Sequence, residues 1–147
     1  MTTVTFPIDA ETDALLAMLR VPGSFGVYKA GDVYKAGATL TYPYAVLNRL
    51  PGGAPALPSL SGPGNGWRSL WQVDCVGLRQ DQAEALAVWI AARWLAPDGV
   101  GGWANPIVLD GWSCLWRAPQ PDLGTRAEGQ PGKKLFVARR RLELVWA

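Results

Sequence analysis

The sequence predicts an α+β fold: a single, mostly antiparallel β-sheet with two α-helices packed on one face. Three stretches carry that prediction. Trp71-Gln72-Val73-Asp74-Cys75-Val76-Gly77 places Trp71, Val73 and Cys75 on one side and Gln72, Asp74 and Val76 on the other, the alternation of a half-buried strand. Ala83, Leu86, Ala87, Ile90 and Trp94 then recur at spacings of three and four, which lays them along one side of a helix. Residues 134–146 return to a period of two and close the chain as a strand. The 147 residues are expected to make a single domain, long enough for one core.

The first element is a helix over residues 9–20. Pro7 precedes it, Asp9 is placed to cap it, and Pro22-Gly23 ends it. Ala14, Leu15, Met18 and Leu19 form its apolar stripe, while Glu11 and Asp13 sit in the first turn, where the helix dipole favours negative charge. In residues 26–37, Val27-Tyr28-Lys29-Ala30-Gly31 returns as Val33-Tyr34-Lys35-Ala36-Gly37, an echo too brief for a solenoid. It reads as two short extended pieces about a turn at Gly31-Asp32. Residues 42–50 form a firmer strand, with Tyr44, Val46 and Asn48 facing one way and Ala45, Leu47 and Arg49 the other. Pro43 places this strand at an edge or marks its first residues. Residues 51–67 hold five Gly and four Pro and show neither period, so they read as a long loop.

Asp81 and Glu84 then make a D-x-x-E capping pattern at the start of the second helix. Residues 97–106 are a Gly-rich connector. Asp110-Gly111 reads as a hairpin turn between strands at 107–109 and 111–117. Residues 119–132 read as a second long loop. In the closing strand, Phe136, Ala138, Leu142, Leu144 and Trp146 alternate with Leu135, Val137, Arg139, Arg141, Glu143 and Val145. Arg140 falls on the apolar side, which calls for a bulge or a partner carboxylate.

Composition narrows the chemistry. Without histidine there is no Ser-His-Asp or Cys-His hydrolysis, no imidazole base and no histidine-containing zinc site. Cys75 and Cys114 match neither a Cys₄ site nor a disulfide framework and are expected to be free buried thiols, although pairing stays open. No phosphate-binding P-loop occurs, and Gly99-Val100-Gly101-Gly102 follows a helix rather than opening one, so it reads as a plain loop. Asp74, Asp110 and Glu143 each have a structural explanation. No enzyme, metal or cofactor is therefore expected. There is no signal peptide pattern and no run of about 18 apolar residues, so no membrane partner is expected.

The net charge of +2 is too small to imply nucleic-acid binding by itself. The cluster Lys133, Lys134, Arg139, Arg140, Arg141 is the strongest charge feature, and Arg139 and Arg141 point to one side of a strand. Three readings stay open: contact with DNA phosphates, a solvated strand edge, and salt bridges to a neighbouring subunit. Eight tryptophans are more than one small core hides easily, so some are expected at an interface, where Trp is enriched.

Several motifs, taken in order, resemble a known family. They are Tyr42-Pro43-Tyr44-Ala45-Val46-Leu47 running into Leu50-Pro51-Gly52-Gly53; Trp71 to Gly77; Arg79-Gln80-Asp81-Gln82-Ala83-Glu84-Ala85-Leu86-Ala87; and Phe136-Val137-Ala138-Arg139-Arg140-Arg141-Leu142. The pattern resembles the tail terminator proteins, also called tail completion or minor tail proteins, of bacteriophages with long non-contractile tails. The resemblance covers nearly the whole chain. The chain departs from it in having Trp103, Trp112 and Trp116 where relatives are more polar, and in its heavier basic cluster.

The resemblance implies a structural assembly protein of the virion, made in the host cytoplasm. Copies of it would form a ring, generally a homohexamer, at the head-proximal end of the tail tube. The ring would stop tube polymerisation and present a surface to head-completion proteins. Its partners would be other copies of itself, the major tail tube protein and the head-completion connector, with DNA passing through the lumen. A closed ring needs two different patches on each subunit. Val88, Trp89, Trp103 and Trp112 are candidate subunit or tube contacts, and Lys133, Lys134, Arg139 and Arg141 a candidate basic contact patch. Two other readings remain: another ring-forming connector or tail-tube component, and a small carbohydrate-binding module using Trp67, Trp103, Trp112 and Trp116 as an aromatic platform.

Overall fold

The fold was obtained as a computed structural model, which describes residues 5–22, 24–33, 40–51, 54–56, 66–120, 124–130 and 133–147. Its elements run α1 (Ile8–Leu19), β1 (Gly26–Lys29), β2 (Tyr44–Arg49), β3 (Ala54–Ala56), β4 (Gly66–Gly77), α2 (Gln80–Leu95), β5 (Cys114–Gln120), β6 (Thr125–Gln130) and β7 (Lys133–Trp146). The seven described strands form one sheet in the order β1-β2-β4-β7-β5, with β3 also on β4 and β6 also on β7. Every pairing is antiparallel except β1 with β2. The fold class is therefore the α+β class the sequence predicts.

The long central pair β4–β7 organises the rest. Eleven consecutive residues of each are in register, from Trp67↔Trp146 to Gly77↔Phe136. β2 and β3 lie end to end along the free edge of β4, and β5 and β6 do the same along β7. Register then sorts side chains onto two faces. Trp71, Val73 and Cys75 of β4 stand beside Ala45 and Leu47 of β2 and Ala138, Leu142 and Leu144 of β7. Both helices cover this face, through Leu15, Leu16 and Leu19 of α1 and Ala83, Leu86, Ala87, Ile90 and Trp94 of α2. Burying each large apolar side chain stabilises the fold by roughly 1.5–3 kcal/mol, and Trp71, Trp94 and Trp146 are among those wholly enclosed. No helix among the described residues is long and apolar enough to cross a membrane.

Several local expectations are corrected. Asp9 does not cap α1: the helix starts at Ile8 after Pro7 and has no side-chain cap. The D-x-x-E pattern does not cap α2 either. Gln82 Oε1 accepts from the Leu78 N–H at 2.8 Å instead, and Asp81 pairs with Arg79. β2 is not an edge strand, because β1 flanks it, and Pro43 stands just ahead of its first residue. The hairpin at Asp110-Gly111 shrinks to the single bridge Leu109↔Trp112, and β5 pairs with β7. The segments read as loops hold β3 and β6. Residues 52–53, 57–65, 121–123 and 131–132 of those segments lie outside the described residues, as do 34–39 of the echo. No bulge accommodates Arg140, since the β4–β7 register runs unbroken through Val73↔Arg140. The bulge lies instead in β5, between Cys114 and Trp116.

Candidate assembly surfaces

The sheet face away from the helices carries Arg139 and Arg141 of the candidate basic patch, but they are not free cationic surface. Arg139 of β7 donates to Glu128 Oε1 of β6 at 2.6 Å and lies 3.4 Å from Asp74 Oδ1 of β4. Asp74 also accepts from Asn48 of β2 at 3.3 Å and from Gln72 at 2.9 Å. Gln72 in turn accepts from Arg141 Nε at 3.0 Å. Beside this chain, Glu143 accepts from Arg68 at 3.0 Å and from Gln120 of β5 at 2.9 Å. Polar side chains from five strands are thus tied across the face. Partial burial pushes the Asp74 carboxyl above its ordinary range, against the opposing pull of the Gln72 amide, the Arg139 guanidinium and the Asn48 amide. Arg139 is pushed up first by its hydrogen bond to Glu128, so it belongs more to Glu128 than to Asp74.

By register, Arg68, Arg126, Arg139 and Arg141 share this face with Asp74, Glu128 and Glu143, so among the described side chains its positive charge is nearly cancelled. Lys134 is exposed but alternates to the other face, and the Lys133 side chain lies outside the described residues. A hollow of about 220 Å³ opens where Leu50, Arg68, Leu70, Gln120 and Arg141 meet. At the far end the polar surface gives way to an apolar cluster of Tyr44, Val76 and Val137, packed with Tyr28, Leu40, Tyr42 and Val46.

The proposed apolar contacts fall at separate places. Val88 is exposed on α2. Trp89 is half-buried and meets Phe25 edge-on at 4.7 Å, with the Arg93 guanidinium 5.5 Å from its ring. Trp103 is half-buried, bridges to Pro97 and has the Arg117 guanidinium 5.0 Å from its ring. Trp112 packs edge-on against Phe6 at 5.0 Å, and Trp67 stacks on the same Phe6 at 5.1 Å. The four tryptophans weighed as a sugar platform therefore do not form one: of all eight in the chain, only Trp116 is exposed.

Three features take roles that were not read from the sequence. Glu11 is fully buried, ion-paired with Arg49 of β2 at 2.7 Å and accepting from Ser69 of β4 at 2.7 Å and from the Trp146 indole of β7. Arg117 is buried at the end of α2, where it donates to the Trp94 carbonyl at 3.0 Å. A cation there suits the negative end of the helix dipole. Trp116 and its neighbour Leu115 stand exposed at the β5 bulge. Glu143 was read only as an outward-facing residue and pairs with Arg68 of β4; Glu11 gave no signal of its role, because its partners lie 38 to 135 residues away. Both cysteines are free. Burial pushes the Cys75 thiol up to about 12 and raises Cys114 as well.

No protein-family model matches the chain, and no curated protein is significantly similar to it.

Proposed function

We propose that this protein is a structural assembly subunit of the tail terminator kind, acting as a ring on the end of a tail tube. The observation that carries the reading is the contrast between the two sheet faces. Helices seal one face, while the other presents a cross-strand polar network with four arginines set against three carboxylates. Such a face can line a passage for a polyanion without gripping it, because strong binding would need unmatched cations. The order of the motifs adds support. Their residues lie on β2, β4 with α2, and β7, which are three neighbouring strands and a helix laid over them.

The work asked of such a protein is geometric. Copies join head to tail until the rotation closes, and the closed ring occupies the surface that the next tube subunit needs. The test is native mass across a concentration series, negative-stain imaging, and tube assembly with and without the protein. Closed rings that arrest tube growth are the expected result. Tubes that lengthen equally in its presence overturn the reading.

A further inference from the structure

We infer that Trp116 is the anchor of a head-to-tail contact between copies, docking into the groove that Phe25 and Trp89 wall on the next copy; this rests on the ring reading above. Trp116 and Leu115 are 56% and 60% exposed, side by side at the β-bulge of β5. The unpaired residue at the bulge is Leu115, while Trp116 stays in register with Val145 at the β5 border of the helix-free face. Every other tryptophan is at least half-buried against its own chain. Leaving one indole in water beside an exposed leucine is costly in a monomer, whereas Trp is the residue most enriched at the energetic centres of interfaces.

The matching surface lies beside the opposite edge of the sheet. β5 borders one side and β1 the other. Next to β1, a groove of about 440 Å³ opens between Phe25, Pro43 and the outer side of α2 at Ala85, Leu86 and Trp89. That volume falls within the range of pockets that enclose a bulky group, and the lining is mixed: Phe25, Pro43, Leu86 and Trp89 offer apolar surface, while Asp81 and Gln82 are polar. A buried indole also needs an acceptor for its N–H. Asp81 on the groove's rim supplies one, since its carboxylate is held below the usual range first by its hydrogen bond to Arg79. Anchor and groove sit on different parts of the same chain, so one contact repeats from copy to copy, as a ring requires. A single tryptophan buries about 150–250 Å², short of the roughly 800 Å² per partner of a stable interface. The exposed outer edge of β5 and the rim of the groove must supply the rest.

Two exposed substitutions test this without touching the core: Trp116→Ala removes the anchor, and Ala85→Arg fills the groove. Circular dichroism and thermal melting check that each variant is folded. Sedimentation equilibrium of the wild type and of each variant then reads self-association. Each variant alone should associate at least about 30-fold more weakly than wild type. Each still owns one intact half of the contact, so mixing them should restore a 1:1 dimer that grows no further. Either folded variant forming rings like the wild type, or a mixture that stays monomeric, overturns the docking. So does a wild type that stays monomeric up to about 1 mM. Rings that persist in Trp116→Ala and still arrest tube growth leave the ring reading standing. Association that Trp116→Ala abolishes, in a protein without effect on tubes, supports the docking and sinks the tail reading.

Discussion

Glu11 shows how one side chain can tie a helix to three strands. A carboxylate without exposure is tolerated only where donors replace its water, and here β2, β4 and β7 each send one. Glu11→Ala strands the Ser69 hydroxyl and the Trp146 indole and leaves Arg49 without its carboxylate. Because Arg49 is a quarter exposed, water recovers part of that loss. The expected cost is about 3 kcal/mol, at the low end for a broken buried pair, with Glu11→Gln milder, as read by urea denaturation. Cys75 makes a second prediction, in pH. Its thiol keeps its proton to about 12 in the folded chain, whereas in the unfolded chain it loses it near 9. Between those values the folded state binds more protons, so stability falls as pH rises, by about 1.4 kcal/mol per unit. That contribution is intact below pH 9 and gone above 12. Melting at pH 8 to 11 should show the slope, and Cys75→Ala should flatten it. At pH 8 Cys75 should resist alkylation until the chain unfolds.

At the scale of elements, the junction of β4 and α2 turns on Gly77. A Cβ there would come within 2.9 Å of the Ala83 backbone nitrogen and 3.2 Å of the Arg79 carbonyl oxygen. Backbone on both sides cannot give way as a flexible side chain would, so Gly77→Ala should cost about 2 kcal/mol or more. A melting-temperature loss well beyond that of an exposed control such as Ala92→Gly would bear this out. The same junction was the most legible part of the sequence, since a strand period passing into a helical period needs no distant partner to be recognised. β2 and β7 were legible for the same reason, down to the faces of Tyr44 to Arg49 and the odd placement of Arg140. β6 was not. Thr125-Arg126-Ala127-Glu128-Gly129-Gln130 lies on an edge, is mostly exposed, and so carries no apolar alternation to read. β3, with Ala54-Pro55-Ala56, has no signature of its own and exists by pairing with β4. The caps were misassigned: α1 has no side-chain cap after Pro7, and the side-chain bonds at the start of α2 come from Gln82 and from the Arg79–Asp81 pair. The basic patch was visible, but its neutralisation was not, because Asp74 and Glu128 reach Arg139 only through the pairing of separate strands.

For the whole molecule, that neutralisation decides how the helix-free face meets a polyanion. Among the described side chains, four arginines facing three carboxylates leave about one unmatched charge. Each phosphate a protein neutralises steepens the fall of log K with log salt by about 0.9. The wild type should therefore bind duplex DNA weakly, with a slope near −1 and an apparent Kd above about 0.1 mM at physiological salt. Glu128 and Glu143 are the carboxylates to remove. Each holds an arginine on this face, and neither belongs to the fully buried core. Glu128→Gln with Glu143→Gln frees charge on Arg139 and Arg68 while keeping an acceptor oxygen for each. The slope should then steepen by one to two and the affinity at low salt should rise, by fluorescence anisotropy on labelled duplex. In the ring proposed above, such subunits would multiply the unmatched charge around the lumen and hold DNA instead of letting it slide. On that reading, particles built with the double variant should assemble normally yet release their DNA more slowly. A wild-type slope of −4 or steeper would mean that the cations act unpaired, and the face would have to be read as a binding surface rather than a neutral lining.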